Sequence, residues 1–149
     1  MEHVSDELAR IVNSAEPILR QVSEEDGGKA ILAGGWSRKQ VLGHLIDSAS
    51  NNHQRFVRAA LADSLDFPAY DTPGCVAVQV VDSASWGMLV DLWVSYNRYL
   101  AHVIRRLPAA KLEVSCRIGS GKPVTLAYLV EDYVRHLVHH LGQIGAAGS

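Results

Sequence analysis

The chain has 149 residues, a length that suits one domain able to bury its own core. Hydrophobic residues make up 48% and charged residues 20% of the sequence, which excludes an intrinsically disordered protein. The formal net charge of −2 offers no basic surface for nucleic acid. No apolar run reaches the about 20 residues of a membrane-spanning helix. Because Cys75 and Cys116 form no CxxC motif, we expect a reducing, cytoplasmic location.

No repeat or linker divides the sequence, so we expect residues 1–149 to form a single domain. Four segments have the apolar periodicity of long helices, and clusters of glycine and proline separate them. The first covers about residues 5–24 and contains Pro17, which predicts a kink or a break. The second covers residues 37–62, where Ser37 and Gln40 have the spacing of a capping box.

The third predicted helix covers residues 82–107 and must end there, because Pro108 cannot continue it. The fourth follows Pro123, with Thr125 as its expected N-cap, and extends to about residue 144. Between them, residues 112–118 alternate in polarity and could form a short extended piece. The sequence therefore predicts an all-α fold, a four-helix bundle with up-down helices and a long loop between the second and third.

The fourth helix contains two histidines, His136 and His140, at a spacing of four residues. Residues at this spacing project from the same face of a helix, one turn apart. The spacing is typical of two imidazoles that bind one metal ion. Helices that bind no metal also contain such pairs, so this pair alone leaves both interpretations open.

A third histidine, His44, begins a polar stripe on the second helix with Ser48, Asn51 and Arg55. At 3.6 residues per turn these side chains fall within about 40° of one another. Such a stripe either faces solvent or lines an internal polar site. Asp47 lies beside the stripe and could accept a hydrogen bond from an imidazole.

A four-helix bundle can bring histidines of two helices together and so build a metal site in its interior. Three imidazoles from His44, His136 and His140 would leave coordination positions open, as in a catalytic site. The alternative for His44 is an ordinary hydrogen-bonded or exposed helix residue. By helical geometry the other histidines are not expected to bind this metal. They are His3, His53, His102 and His139.

Several strings of this sequence resemble the DinB-like superfamily. They are Trp36-Ser37, the segment from Val41 to Phe56, Pro68 with Tyr70-Asp71, and His136 with His139-His140-Leu141. Within the superfamily they are most similar to the YfiT-type branch, which includes bacillithiol S-transferases and metal-dependent hydrolases. The resemblance covers about residues 36–144. Its most specific part is the string that begins at His44 and includes the polar stripe of Ser48, Asn51 and Arg55.

The resemblance implies a four-helix bundle, often dimeric, with a divalent metal ion held by His44, His136 and His140. Nickel or zinc is the expected ion, with manganese as an alternative. Characterised members use the metal to activate a low-molecular-weight thiol, bacillithiol or mycothiol. The expected partners are therefore a small thiol and an electrophilic substrate. A homodimer is implied by the resemblance alone.

The sequence departs from this branch at three points. Gly43 stands where the branch usually has a second histidine, and Arg135 stands where it usually has a tryptophan. The segment after Asp71 lacks the expected Glu-x-x-Trp string. We expect loop residues of this kind to contribute to the substrate pocket, so the resemblance does not transfer a substrate.

Three functions follow from these observations. The first is a thiol-dependent S-transferase, in which Asn51 and Arg55 are our candidate catalytic residues because they could orient an anionic group. The alternative for these two residues is polar packing or an ion pair between helices. The second function is a metal-dependent hydrolase that uses the same three histidines. The third is a bundle without enzymatic activity that binds a metal or a small ligand.

Overall fold

The structure, a computed structural model, describes residues 1–146 and is mainly helical. The α-helices in this part of the chain are α1 (Glu2–Gln21), α2 (Glu24–Gly28), α3 (Arg38–Leu61), α4 (Thr72–Val78), α5 (Trp86–Arg105) and α6 (Leu126–Gln143). The strands are β1 (Ser64–Phe67), β2 (Ser115–Ile118) and β3 (Val124–Thr125). Single turns of 3₁₀ helix cover Val81–Ser83 and Ala109–Lys111. Within residues 1–146, no helix combines the length and the apolar composition needed to cross a bilayer.

The four long helices, α1, α3, α5 and α6, pack around one hydrophobic core. Helices α1 and α3 occupy diagonally opposite corners of the bundle, and each of them contacts both α5 and α6. Large side chains from all four are fully buried between them, each worth about 1.5–3 kcal/mol of hydrophobic stabilisation. They include Leu8, Leu45, Phe56, Trp93 and Leu137. The predicted four-helix bundle is confirmed.

The directions of the long helices follow from contacts near their ends. Ser5 Oγ donates to the Ala101 carbonyl at 2.8 Å, so α1 and α5 are antiparallel. Ser37 Oγ donates to Asp82 Oδ1 at 2.7 Å, just before α3 and α5 begin, so these two helices are parallel. The chain between them returns along the bundle, and the predicted long connection is confirmed. In chain order, the four long helices therefore run up, down, down and up. The crossover between α3 and α5 is what distinguishes this bundle from one whose helices simply alternate in direction.

The helix boundaries follow local signals in the sequence. Ser37 caps α3 in the predicted capping box, since its hydroxyl accepts from the Gln40 N–H and the Gln40 side chain accepts from the Ser37 N–H. Thr125 caps α6 by accepting from the Tyr128 N–H. Helix α1 continues through Pro17 to Gln21, so it contains no break there.

A small sheet lies at the end of the bundle where α3 ends and α6 begins. Strand β1 pairs in parallel with β2, with Leu65 opposite Cys116, and β2 pairs antiparallel with β3. The alternation in residues 112–118 predicts β2, whereas β1 was not predicted because it contributes only two apolar residues, Leu65 and Phe67. The Phe67 carbonyl also accepts from the Gly119 N–H at 2.8 Å, which fixes the end of β1.

Candidate metal centre

Antiparallel packing of α3 and α6 brings three histidines to one point. His44 lies in the second turn of α3, and His136 and His140 lie on successive turns in the second half of α6. Because the beginning of α3 faces the end of α6, all three side chains meet between these helices. Local helix spacing supplies the pair on α6, and the tertiary fold supplies the third member.

The three imidazoles are close enough for one ion. His44 Nε2 lies 3.1 Å from His136 Nε2, and one nitrogen from each of the three rings lies within 4.8 Å of the others. With metal–nitrogen bonds of about 2.1 Å, two ligands of one ion lie about 3 Å apart at a right angle and about 3.4 Å apart at the tetrahedral angle. A hydrogen bond between two neutral rings would explain the 3.1 Å contact but not the convergence of His140.

Burial keeps two of these imidazoles neutral. The side chain of His44 is 4% exposed, and burial, followed by the neighbouring His136 and His140, lowers its pKa to about 4. Burial and then His140 lower the pKa of His136 to about 4 as well. The neutral ring is the form that coordinates a metal ion, so both side chains are ready to bind near pH 7. His44 Nδ1 is buried and has no hydrogen-bond partner in the described structure.

Two polar side chains contact the outer nitrogens of the imidazoles. His140 Nδ1 donates to Gln143 Oε1 at 2.8 Å, which leaves His140 Nε2 with its lone pair. The other end of the Gln143 side chain lies 3.3 Å from His139 Nε2. Ser48 Oγ lies 3.5 Å from His136 Nδ1. The role of Gln143 was not predicted, although its spacing of three residues from His140 was a usable signal.

Asp47 does not contact an imidazole. Its carboxylate accepts two hydrogen bonds from Gln79 Nε2, at 2.9 and 3.1 Å. The expectation that Asp47 orients a histidine is therefore wrong. Gln79 follows α4 in the long connection, and no local sequence pattern indicated that this residue returns to α3.

The two candidate catalytic residues have different surroundings. Asn51 is half-buried, and its amide donates to the Asp47 carbonyl of its own helix at 3.0 Å. Arg55 is buried, and its guanidinium carbon lies 5.4 Å from the centre of the Phe67 ring. Neither side chain hydrogen-bonds an imidazole of the cluster. The role of Asn51 as an orienting residue stays a prediction.

The other histidines are not members of this group, although the His139 ring lies 5.1 Å from that of His140. His53 Nδ1 is 3.2 Å from the Tyr96 hydroxyl, on the α5 side of α3. Residues His3, His102 and His139 also lie outside the group. Across residues 1–146, the set of three histidines is the one His, Cys, Asp or Glu cluster with donor atoms close enough for a shared ion.

Two cavities reach the histidines from different directions. The smaller, about 130 Å³, has His136 in its wall together with Ser48, Arg55 and Tyr70. The larger, about 520 Å³, has His140 in its wall, and the rest of its lining is mainly apolar. The apolar part consists of Ile31, Leu32, Trp36 and Val41. Any ion at the cluster would therefore be approached through a polar and an apolar compartment.

Comparison with known proteins places these features in context. The family model described as the DinB superfamily matches residues 7–144. A Bacillus pumilus protein named "Putative metal-dependent hydrolase" is 26% identical over 141 residues, which cover 93% of this chain and 79% of that protein. A protein of Oceanobacillus iheyensis with the same designation is 24% identical over 147 residues, which cover 99% of this chain and 80% of that protein.

A solved structure has the same fold. It is YfiT from Bacillus subtilis, described as "a probable metal-dependent hydrolase with an unusual four-helix bundle topology". The two structures superpose with a TM-score of 0.81 over 95% of this chain and 83% of the YfiT chain, at 20% sequence identity. At this identity the comparison establishes the fold.

Proposed function

This chain belongs to the DinB superfamily, and on that premise we propose that it is a metal-dependent enzyme with a divalent ion held by His44, His136 and His140. The observation that carries this proposal is the convergence of three imidazoles, of which burial keeps His44 and His136 neutral. The designations of the relatives from Bacillus pumilus and Oceanobacillus iheyensis support a metal-dependent reaction.

The donor set favours particular ions and a particular charge. Imidazole nitrogens suit zinc and nickel, whereas manganese prefers carboxylate and water ligands, so we propose zinc or nickel first and manganese as an alternative. Within residues 1–146, no carboxylate hydrogen-bonds any of the three rings. Neutral ligands leave the charge of an ion undiminished. When bound, the ion would lower the pKa of a coordinated thiol or water.

We propose a low-molecular-weight thiol as the nucleophile, which makes the protein an S-transferase. A thiol has an ordinary pKa of about 8.5 and gives up its proton to solvent far more readily than water does. A thiol therefore needs no carboxylate base beside the imidazoles. After proton loss, the sulfur forms a bond to an electrophilic carbon, and the leaving group departs with the bonding electron pair. The apolar cavity beside His140 suits an apolar electrophile.

Hydrolysis at the same three histidines is the second candidate. The designations of the relatives favour it, and both reactions need the same ligands. In that case water would replace the thiol as nucleophile, and turnover would not depend on added thiol. The third candidate is a bundle that binds a metal or a small ligand without enzymatic activity. It has the same three histidines as the two enzymes, but it would turn over no substrate.

A reducing, cytoplasmic environment and a homodimer complete the proposal. Cys75 and Cys116 are both free, which fits a compartment where small thiols stay reduced. Exposed apolar side chains on the adjacent parallel helices α3 and α5, among them Val57, Leu92 and Tyr99, support a second copy as the partner. Light scattering of the purified chain measures the association directly.

The decisive experiment is elemental analysis of untagged protein, followed by a turnover assay. We expect about one equivalent of a transition metal per chain after reconstitution. Less than about a tenth of an equivalent would contradict both enzyme proposals, since three histidines within bonding reach should retain one ion. Turnover of an electrophile only with added thiol supports the transferase. Turnover in buffer alone supports the hydrolase instead.

A further inference from the structure

Arg55 is a buried cation without an anionic partner. Its side chain belongs to a residue that is only 9% exposed, and its Nε has no hydrogen-bond partner. Its one hydrogen bond is long, 3.4 Å from Nη1 to Asn52 Oδ1. Within residues 1–146, no carboxylate oxygen lies within 4.0 Å of this guanidinium, although most other arginines of the chain have such a partner.

An unpaired buried charge is costly unless something else satisfies it. Burial lowers the pKa of Arg55 from its ordinary value, yet a guanidinium stays protonated in proteins at neutral pH. Packing over the Phe67 ring stabilises the cation in part. Nε is enclosed and has no acceptor, and Nη2 makes no hydrogen bond among the described residues, so an anion that reaches the outer edge of the guanidinium at Nη2 can satisfy the cation.

The cavity in front of Arg55 has the size and the donors for an oxyanion. Its volume of about 130 Å³ corresponds to about four water molecules at about 30 Å³ each. That space is large enough for a carboxylate or a phosphate group. Burial raises the pKa of Tyr70, so its phenol keeps the proton that it can donate. The Ser48 hydroxyl is a further donor in the same wall.

The one carboxylate in this wall is already paired elsewhere. Asp132 is exposed, and its Oδ1 accepts from Arg135 Nη2 at 3.1 Å. It therefore does not neutralise Arg55. On the other side, the cavity wall includes His136, so a group bound at Arg55 lies beside the candidate metal centre.

We propose that this cavity is an oxyanion subsite, in which Arg55 and Tyr70 bind a carboxylate or phosphate group of a substrate. The assignment of that group to a substrate rests on the proposed function, whereas the binding of an anion does not. In the substrate, the oxyanion and the reacting atom are then joined by a short spacer, because His136 belongs both to the wall of this cavity and to the candidate metal centre. Substrates without such a group should bind more weakly.

The test uses the metal-free full chain, labelled with ¹⁵N, and inorganic phosphate as the probe. Phosphate is titrated at constant ionic strength against chloride, and the Arg55 Nε–H resonance is followed together with the affinity from calorimetry. We expect saturable binding and a shift of that resonance. In Arg55→Met, which keeps an unbranched apolar side chain but removes the guanidinium, we expect affinity to fall about tenfold or more.

Arg58→Met is the matched control. Arg58 lies on the same helix and its guanidinium carbon is 5.9 Å from the centre of the same Phe67 ring, but it is exposed and outside the cavity. Its loss should change the affinity less than about twofold. Equal affinities of wild type and Arg55→Met, or equal losses in both variants, would overturn the proposal. If Arg55→Met does not fold, an unshifted Arg55 resonance in the wild-type titration overturns it just as well.

The outcome is independent of the metal proposal. Phosphate binding at Arg55 in a chain that takes up no metal would support the subsite and contradict the proposed enzyme. Metal uptake and turnover without Arg55-dependent anion binding would contradict the subsite alone. Tyr70→Phe provides a second check, since loss of the phenol donor should weaken phosphate binding and leave metal stoichiometry unchanged.

Discussion

Gln143 holds the outer nitrogen of His140, with its Oε1 2.8 Å from His140 Nδ1. The same side chain places its Nε2 3.3 Å from His139 Nε2, so both ends of the Gln143 amide lie within reach of an imidazole. The proton of His140 is thereby kept on Nδ1, and the lone pair of Nε2 is available to an ion. A residue in this position acts through the ligand, by orienting the ring and by raising its basicity.

Gln143→Leu should therefore weaken metal binding about 10–100-fold, the usual effect of losing a hydrogen-bond partner of a ligating histidine. Competition with a chromophoric chelator measures this change. Gln54→Leu is the control, because Gln54 hydrogen-bonds Arg58 on the exposed side of α3. An affinity of Gln143→Leu within twofold of wild type would show that His140 is oriented by packing alone.

The ligand assignment makes a prediction about stoichiometry. His136→Ala and His44→Ala should each abolish stoichiometric metal uptake, because each removes one of three donors within 4.8 Å. His53→Ala should retain about one equivalent, since His53 contacts Tyr96 on the α5 side of its helix. Elemental analysis of the untagged variants measures the number of metal equivalents per chain. Metal loss in His53→Ala would mean that the packing of α3 against α6 is different from the one described.

The two buried imidazoles also predict how the metal-free protein responds to acid. Both His44 and His136 have a pKa of about 4 in the folded chain, against the ordinary value of 6.5. Between pH 6.5 and pH 4, the unfolded chain binds more protons than the folded chain, so the free energy of unfolding falls as the pH falls. With the pKa of each imidazole lowered by about 2.5, the pair should account for a loss on the order of 5 kcal/mol across this window.

Urea denaturation of metal-free protein at pH 7.5 and pH 4.5 measures that loss. The double variant His44→Gln/His136→Gln should lose much less stability between the two pH values. His102→Gln, which removes an exposed histidine, should behave as wild type does. If the double variant and the wild type lost stability equally, groups other than these two imidazoles would control the acid response.

Local patterns predicted the group of three histidines better than they predicted its surroundings. The spacing of His136 and His140 is a property of one helix, and the position of His44 required only that α3 and α6 pack against each other. The capping box at Ser37 is equally local, and it set the beginning of α3 correctly. These features depend on helical geometry, which short-range sequence specifies.

The surroundings depend on the path of the long connection, which the sequence does not specify locally. Gln79 reaches Asp47, and Phe67 reaches Arg55, only because the chain crosses back along the bundle after α3. A strand as short as β1 has too few residues for a period-two pattern to be recognised. The polar stripe on α3 therefore predicted that Arg55 could be functional but not which cavity it faces.

Gly43 has a packing role that can be tested by adding a single carbon. A Cβ at this position would lie 2.7 Å from Val81 Cγ1, closer than real contacts allow. Val81 is buried and follows Val80, which holds a left-handed backbone with φ of 49°, so the backbone there has little freedom to move away. Gly43 stands where the YfiT-type branch, which this sequence resembles, usually has a histidine. In this chain Val81 occupies the space that a side chain at position 43 would need.

Gly43→Ala should therefore destabilise the protein. Alanine gains about 1 kcal/mol of helix propensity over glycine, but overpacking costs about 1–3 kcal/mol, so we expect a net loss of about 1 kcal/mol. Gly87→Ala is the matched control, since its Cβ would meet nothing within 4 Å, and it should stabilise α5 slightly. Thermal or urea denaturation measures both variants. Val81→Ala, which removes buried methyl groups, should cost less stability in the Gly43→Ala background than in wild type, because it relieves the overlap. A Gly43→Ala protein as stable as Gly87→Ala would contradict this packing.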